Sequence, residues 1–295
     1  MAWLQLHVPA RQEDCARIEH ALEKMGATAV TLSDAADQPL LEPAPGTTPL
    51  WQEVVVSALF GADQDEQTLR GELRHHLGSL AEQARFDCLE DRQWERAWMD
   101  GFQPMRFGTR LWVIPGESTP PEPDAVNLHL DPGLAFGTGT HETTALCLEW
   151  LENEPLQERS VLDYGCGSGI LAIAALLLGA REATGCDLDP QALTASEDNA
   201  RRNGVSRQLH CCLPAEVPDK IHDVIIANIL AGPLCDLAPT LAGHARPGTR
   251  LVLSGILAEQ ADSVARAYEP WFRLEPVAQR GDWVRITGTR LAPLR

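Results

Sequence analysis

The chain has 295 residues, an apolar fraction of 44% and a formal net charge of −18. That length suggests two domains, each able to bury a core, and the acidic balance argues against direct nucleic-acid binding, which needs clustered lysine and arginine. No run of about 18 apolar residues occurs, and Met1-Ala2-Trp3-Leu4-Gln5 lacks the basic-then-apolar order of a signal peptide, so a soluble cytoplasmic protein without membrane contact is expected.

From Trp3 to about Glu90 the pattern reads strand (Trp3 to Val8), helix (Arg11 to Lys24) and strand (Ala27 to Leu32), then a Pro/Gly-rich loop around Pro43 to Pro49. A strand (Glu53 to Phe60), a helix (Glu66 to Leu77) and a strand (Phe86 to Glu90) follow. The order β-α-β-β-α-β predicts a ferredoxin-like α+β domain over residues 1–90. It holds no catalytic constellation, and His75-His76 reads as a polar helix face, so a binding module is expected. Residues 91–129 read as a linker helix and connecting segment. Trp94 and Trp98 share one face of a short helix, and Pro120 to Pro123 mark a loop.

The larger domain, 130–295, opens with a glycine loop, Leu130 to Thr140, ahead of an amphipathic helix. It is not a phosphate loop, because Gly-Lys-Ser/Thr is missing. Thr140, Thr143 and Thr144 either cap that helix or, with its N–H groups, bind a carboxylate. His141 is either a ligand contact or a loop histidine bonded to backbone. From Ser160 strands alternate with helices: Ser160 to Tyr164, helix from Ile170, Glu182 to Asp187, helix Pro190 to Asn203, Gln208 to Cys212, Asp223 to Asn228. A helix (Leu230 to Ala242), a strand (Arg250 to Ser254), a helix (Leu257 to Tyr268) and strands Phe272 to Val277 and Trp283 to Gly288 complete the domain. Such alternation predicts a mainly parallel sheet covered on both faces, closed by an antiparallel hairpin at one edge.

In such sheets a ligand lies beyond the carboxyl ends of the strands, near the topological switch. The turn Gly165-Cys166-Gly167-Ser168-Gly169 follows an apolar strand and precedes a helix. A dinucleotide site would need a glycine at Ile170, whereas S-adenosylmethionine (SAM), which has no phosphate, fits the variant present. Asp187, at the end of the next strand, is placed to bind ribose hydroxyls. Asn228 ends a third strand, where a neutral amide could hold an incoming amine or merely cap the next helix. The eight cysteines show no Cys-x-x-Cys and no Cys/His ladder, and read as buried free thiols. His141-Glu142 is not a zinc-protease motif, since Ala145 stands where the second histidine would be. No metal site is expected.

Leu130 to Thr144, Asp163 to Leu171, Cys186-Asp187-Leu188-Asp189-Pro190 and Asn228 to Leu234 together resemble the ribosomal protein L11 methyltransferase family, PrmA. The resemblance covers nearly the whole chain. It implies a class I (Rossmann-like) SAM-dependent methyltransferase domain with a seven-stranded sheet, a ferredoxin-like substrate-recognition domain on a mobile linker, and N-methylation of lysine side chains and the α-amino group of a large-subunit ribosomal protein. Carried over by residue, the implied cofactor contacts are Thr144, Gly165, Gly167, Asp187 and Asn228, with Asn228 also the expected catalytic residue. The expected assembly is a monomer. Glu142 departs from the family pattern, which has proline after the loop histidine. Three competitors are a nucleic-acid amino-methylase, whose Asn is usually followed by Pro-Pro and a stacking aromatic where Ile229-Leu230-Ala231 stand here, a nicotinamide oxidoreductase, and a SAM-binding module without catalysis.

Overall fold

The computed structural model describes residues 3–36, 38, 48–61, 63–89, 103–116, 118–131, 139 and 141–292. The loop expected around Pro43, the tryptophan helix expected at Asp91 to Met99, and most of the glycine loop between Asp131 and His141 lie outside them. The chain divides into two compact units, Met1–Ala97 and Trp98–Arg295. No helix among the described residues is long and apolar enough to cross a membrane.

In the first unit β1 (Trp3–Arg11), α1 (Cys15–Lys24), β2 (Ala29–Asp34), β3 (Glu53–Gly61), α2 (Glu66–Leu77) and β4 (Arg85–Leu89) follow one another. The sheet is antiparallel in the order β2-β3-β1-β4. Alternation sends Leu6, Val8, Val54, Val56 and Phe60 into a core with Ile18 and Leu22 of α1 and Leu69, Leu73 and Leu77 of α2. Helix α2 begins where the sequence predicts because the Asp65 carboxylate accepts the Thr68 N–H at 2.9 Å. It stops at Gly78, whose φ of +60° ends the helical run.

The second unit opens with β5 (Met105–Phe107), β6 (Leu111–Pro115) and β7 (Val126–Leu130), a three-stranded sheet with β6 in the middle. The sequence reading took this stretch for a connecting segment. Next come α3 (Glu142–Asn153), β8 (Ser160–Tyr164), α4 (Ile170–Leu177), β9 (Glu182–Cys186), α5 (Pro190–Arg202), β10 (Leu209–Cys212), β11 (His222–Asn228), α6 (Ala231–Gly243), β12 (Ala245–Leu257), α7 (Ala261–Tyr268), β13 (Phe272–Leu274), β14 (Ala278–Arg280) and β15 (Trp283–Arg290). Seven strands run in the order β10-β9-β8-β11-β12-β15-β13, and the three-residue β14 pairs with β15 off that path.

Strands β8 to β12 are mutually parallel, and β15 is antiparallel to both neighbours. The closing strands pair antiparallel at one edge, as the sequence predicts: β13 is outermost and pairs with β15, whose other neighbour is β12, while the short β14 pairs with β15 off that path. One core, with α3 and α4, covers one face, and a second, with α6 and α7, covers the other. Helix α4 is buried from Ile170 to Leu176, as a helix apolar on every side must be. The sheet order reverses between β8 and β11, so the carboxyl ends of those two strands frame the crevice where a ligand is expected.

Candidate functional site

Beyond β8 the chain turns through Gly165, Gly167 and Gly169, with φ of +84°, +53° and +79°, a left-handed region that side chains avoid. The turn is pinned to β9, because the Gly165 and Cys166 N–H groups both donate to the Cys186 carbonyl, at 2.7 and 3.0 Å. Space forbids a side chain as well. A Cβ on Gly165 would stand 2.3 Å from Ile229 Cγ2, and one on Gly169 would stand 2.8 Å from Ser196 Oγ.

Asp187 follows β9, and its carboxylate accepts the Gly167 N–H at 2.9 Å through Oδ2 and the Asp189 N–H at 3.0 Å through Oδ1. It thus holds the glycine turn while each oxygen keeps a second lone pair for ribose hydroxyls. Asn228 ends β11, but it is not a helix cap: α6 starts at Ala231 behind Leu230, which makes no side-chain cap bond. The Asn228 Nδ2 donates instead to Thr144 Oγ1 at 3.3 Å. Gly167 therefore meets Asp187 directly, Gly165 is tied to β9 through Cys186, Asn228 meets Thr144, and the Ile229 side chain lies against Gly165 between the two groups.

Thr144 is buried on α3 and does not cap it. The cap is His141, whose Nδ1 accepts the Thr143 N–H at 3.3 Å. Its ring meets Trp283 edge to face, with centroids 4.8 Å apart. Glu142 occupies the first helical position, where proline is favoured for its fixed φ and an acid is favoured by the helix dipole. The departure from the family pattern therefore leaves the helix start sound.

Three features escaped the sequence reading. Asp163, on β8 below the turn, is fully buried. Its Oδ2 accepts the Ala172 N–H at 3.0 Å, while its Oδ1 has no partner among the described residues. Burial pushes this carboxyl up to about 7, and the charge of Asp187 adds to the rise. Gly255 has φ of +82°, and a Cβ there would stand 2.3 Å from the Ile229 carbonyl oxygen, so β12 supports the Asn228-Ile229 segment by close backbone approach. Leu188, Leu213 and Leu230, each just past β9, β10 or β11, are exposed, Leu188 by 84%.

These features fit SAM. Exposed leucines at the strand ends suit an adenine face, Asp187 suits a ribose, and the orphaned Asp163 acceptor suits a cationic amino-acid end. The cysteines depart from expectation in part: Cys88 is exposed, and Cys211 and Cys235 are only partly buried. Burial raises the thiols near the turn, with Cys186 pushed to about 12, which leaves it protonated and unreactive at neutral pH.

Residues 2–291 match the family model of ribosomal protein L11 methyltransferase (PrmA). The ribosomal protein L11 methyltransferase of Pseudomonas aeruginosa (strain LESB58) is 56% identical over 293 residues, spanning 99% of this chain and 100% of that protein. The corresponding protein of Marinobacter nauticus is 54% identical over 98% of this chain and 99% of its own length. A crystal structure of ribosomal protein L11 methylase from Lactobacillus delbrueckii subsp. bulgaricus superimposes with a TM-score of 0.59 at 34% identity, covering 64% of this chain and all of that one. The chain belongs to the ribosomal protein L11 methyltransferase family, SAM-dependent enzymes of the class I α/β fold.

Proposed function

We propose that this protein transfers methyl groups from SAM to lysine side chains, and to the N-terminal α-amino group, of ribosomal protein L11, by direct in-line transfer to a neutral amine. The observation that carries this reading is the Asn228 carboxamide. Its Nδ2 is engaged by Thr144, which leaves Oδ1, an acceptor, for the N–H of an arriving amine. SAM, when bound, supplies a methyl group already activated on sulfonium. The chain's own residues then have to orient and desolvate the amine.

A free lysine near pKa 10.4 is mostly protonated at neutral pH, a deficit of about 4 kcal/mol over roughly three pH units. Burial lowers that pKa. No dedicated base is required: Asn228 Oδ1 holds the amine and its proton leaves to solvent. Gly165, Gly167, Asp187 and Thr144 are the proposed cofactor contacts.

On this reading residues 1–90 recognise the substrate, the segment ahead of β5 joins them to the methyltransferase domain, and the enzyme works as a cytoplasmic monomer without contacting nucleic acid. The test is incubation of the purified protein with labelled SAM and ribosomal proteins from a methylation-deficient strain, read by intact-mass spectrometry. Steps of one methyl mass on L11 alone are expected, with fragment spectra assigning them to lysines and the N-terminus. Label on RNA, or on no protein, would overturn the substrate.

A further inference from the structure

Helix α5 carries a polar row on one face: Ser196, Asn199 and, just past its end, Asn203. Spacings of three and four residues align them. Asn199 is almost fully buried, at 1% exposure, and an amide so placed is retained only with its bonds satisfied. Its Nδ2 donates to the Ser168 carbonyl in the glycine turn at 3.0 Å, and its Oδ1 accepts the Asp131 N–H, just beyond β7, at 3.0 Å. Its neighbours divide these tasks. Ser196 Oγ donates to the Gly167 carbonyl at 2.9 Å. Asn203 takes both backbone groups of His129, accepting its N–H at 2.8 Å and donating to its carbonyl at 2.7 Å, and so covers the free edge of β7.

The two backbone segments joined by Asn199 lead to different halves of the site. The glycine turn carries Gly165 and Gly167 beside Asp187. Strand β7 leads in sequence to α3, which carries Thr144 against Asn228. We propose that Asn199 is a positioning residue for methyl transfer: its single carboxamide sets the spacing between the glycine turn and the segment that delivers Thr144, so that both halves engage one cofactor. The proposal rests on the reading that Thr144, Gly165, Gly167 and Asp187 bind SAM.

A thermodynamic cycle tests it. SAM dissociation constants by calorimetry and single-turnover rates on L11 are measured for Asn199→Ala, Thr144→Ala, the double variant, Asn203→Ala and Asp187→Ala. Asn199→Ala should weaken SAM about tenfold and slow transfer. Because it already displaces Thr144, the double variant should bind SAM no more weakly than the worse single variant. Asn203→Ala, which loosens β7 and its own helix but leaves the turn held, should lower the melting temperature and weaken SAM less than Asn199→Ala does. Purely structural glue would give additive losses, and additivity would overturn the proposal. So would unchanged SAM binding in Asn199→Ala while Asp187→Ala abolishes it. If Asp187→Ala itself binds SAM normally, the site assignment is what fails. Should Asn199→Ala not fold by circular dichroism, Asn199→Ser, which keeps a donor and an acceptor, carries the same cycle.

Discussion

Asn228 and Asp163 lie on neighbouring strands, and their environments assign them opposite tasks. Asn228 is half-buried, and its side chain bonds to Thr144, so little of the fold depends on it. Asn228→Ala should reduce the single-turnover methyl-transfer rate by about two to three orders of magnitude, as loss of an orienting group does. The melting temperature should move by no more than about 2 °C. Unchanged turnover would remove Asn228 from the mechanism.

Asp163 costs stability. Its carboxyl sits near 7 in the fold against 3.8 in the unfolded chain, so the folded state binds the extra proton between those values and stability declines as pH rises through that window. The full penalty at pH 8 is about 4 kcal/mol, from three pKa units at 1.36 kcal/mol each. Asp163→Asn should therefore raise the melting temperature at pH 8, with the gain vanishing near pH 4. If the orphaned oxygen serves the cofactor, the same variant should show a smaller SAM-induced rise in melting temperature. A variant more stable at pH 8 that retains the full SAM response would make Asp163 a packing residue only.

At the scale of elements, the far end of β11 carries a second buried ionisable group. His222 is 1% exposed and neither ring nitrogen has a partner among the described residues. Burial holds it down to about 4, helped by Lys220 and His244 and opposed by Glu182 and Asp223. Its folded pKa is depressed below 6.5, so its contribution is intact above pH 6.5 and is lost as pH falls toward 4. Between pH 8 and pH 5 that loss is about 2 kcal/mol. Replacement by an apolar side chain removes the titration and two unsatisfied nitrogens together. In urea unfolding His222→Leu should lose about 2 kcal/mol less than the parent over that interval; equal losses would place the titration elsewhere.

Elements also differ in how far they could be read from sequence. The bounds of α2 and β8 follow from local signals: an Asp65 cap with a Gly78 stop, and an apolar run ending in glycines. Strands β5 and β14 have three residues each, too few for alternation to register, and β5 to β7 sit in a proline-rich stretch that reads as loop. The site divides in the same way. Gly165, Asp187 and Asn228 are legible because they end apolar strands. Asp163 and Gly255 are not, because the orphaned oxygen of one and the close backbone approach at the other arise only when α4 and β11 pack onto their strands. Asn199 is hidden for a related reason, since an asparagine within a helix pattern gives no sign that two distant backbone segments bond to it.

For the whole molecule the governing quantity is charge. The chain carries 42 acidic and 24 basic side chains, and only two of the latter are lysines, so little of its own surface offers the group it is proposed to modify. A net charge of −18 produces a field that acts on encounter with a basic protein more than on the chemical step. SAM bears a compact charge and binds within a crevice, where salt screens less. The two substrates should therefore respond differently to ionic strength. Raising salt from about 50 to 300 mM shortens the Debye length from about 14 to 6 Å. On that scale kcat/KM for L11 should fall by about tenfold or more, while KM for SAM changes by less than about twofold. Steady-state kinetics across that range decide the point. Equal sensitivity would place the charge effect in the cofactor crevice, and no sensitivity for L11 would mean that recognition rests on apolar contact, with the acidic surface serving solubility alone.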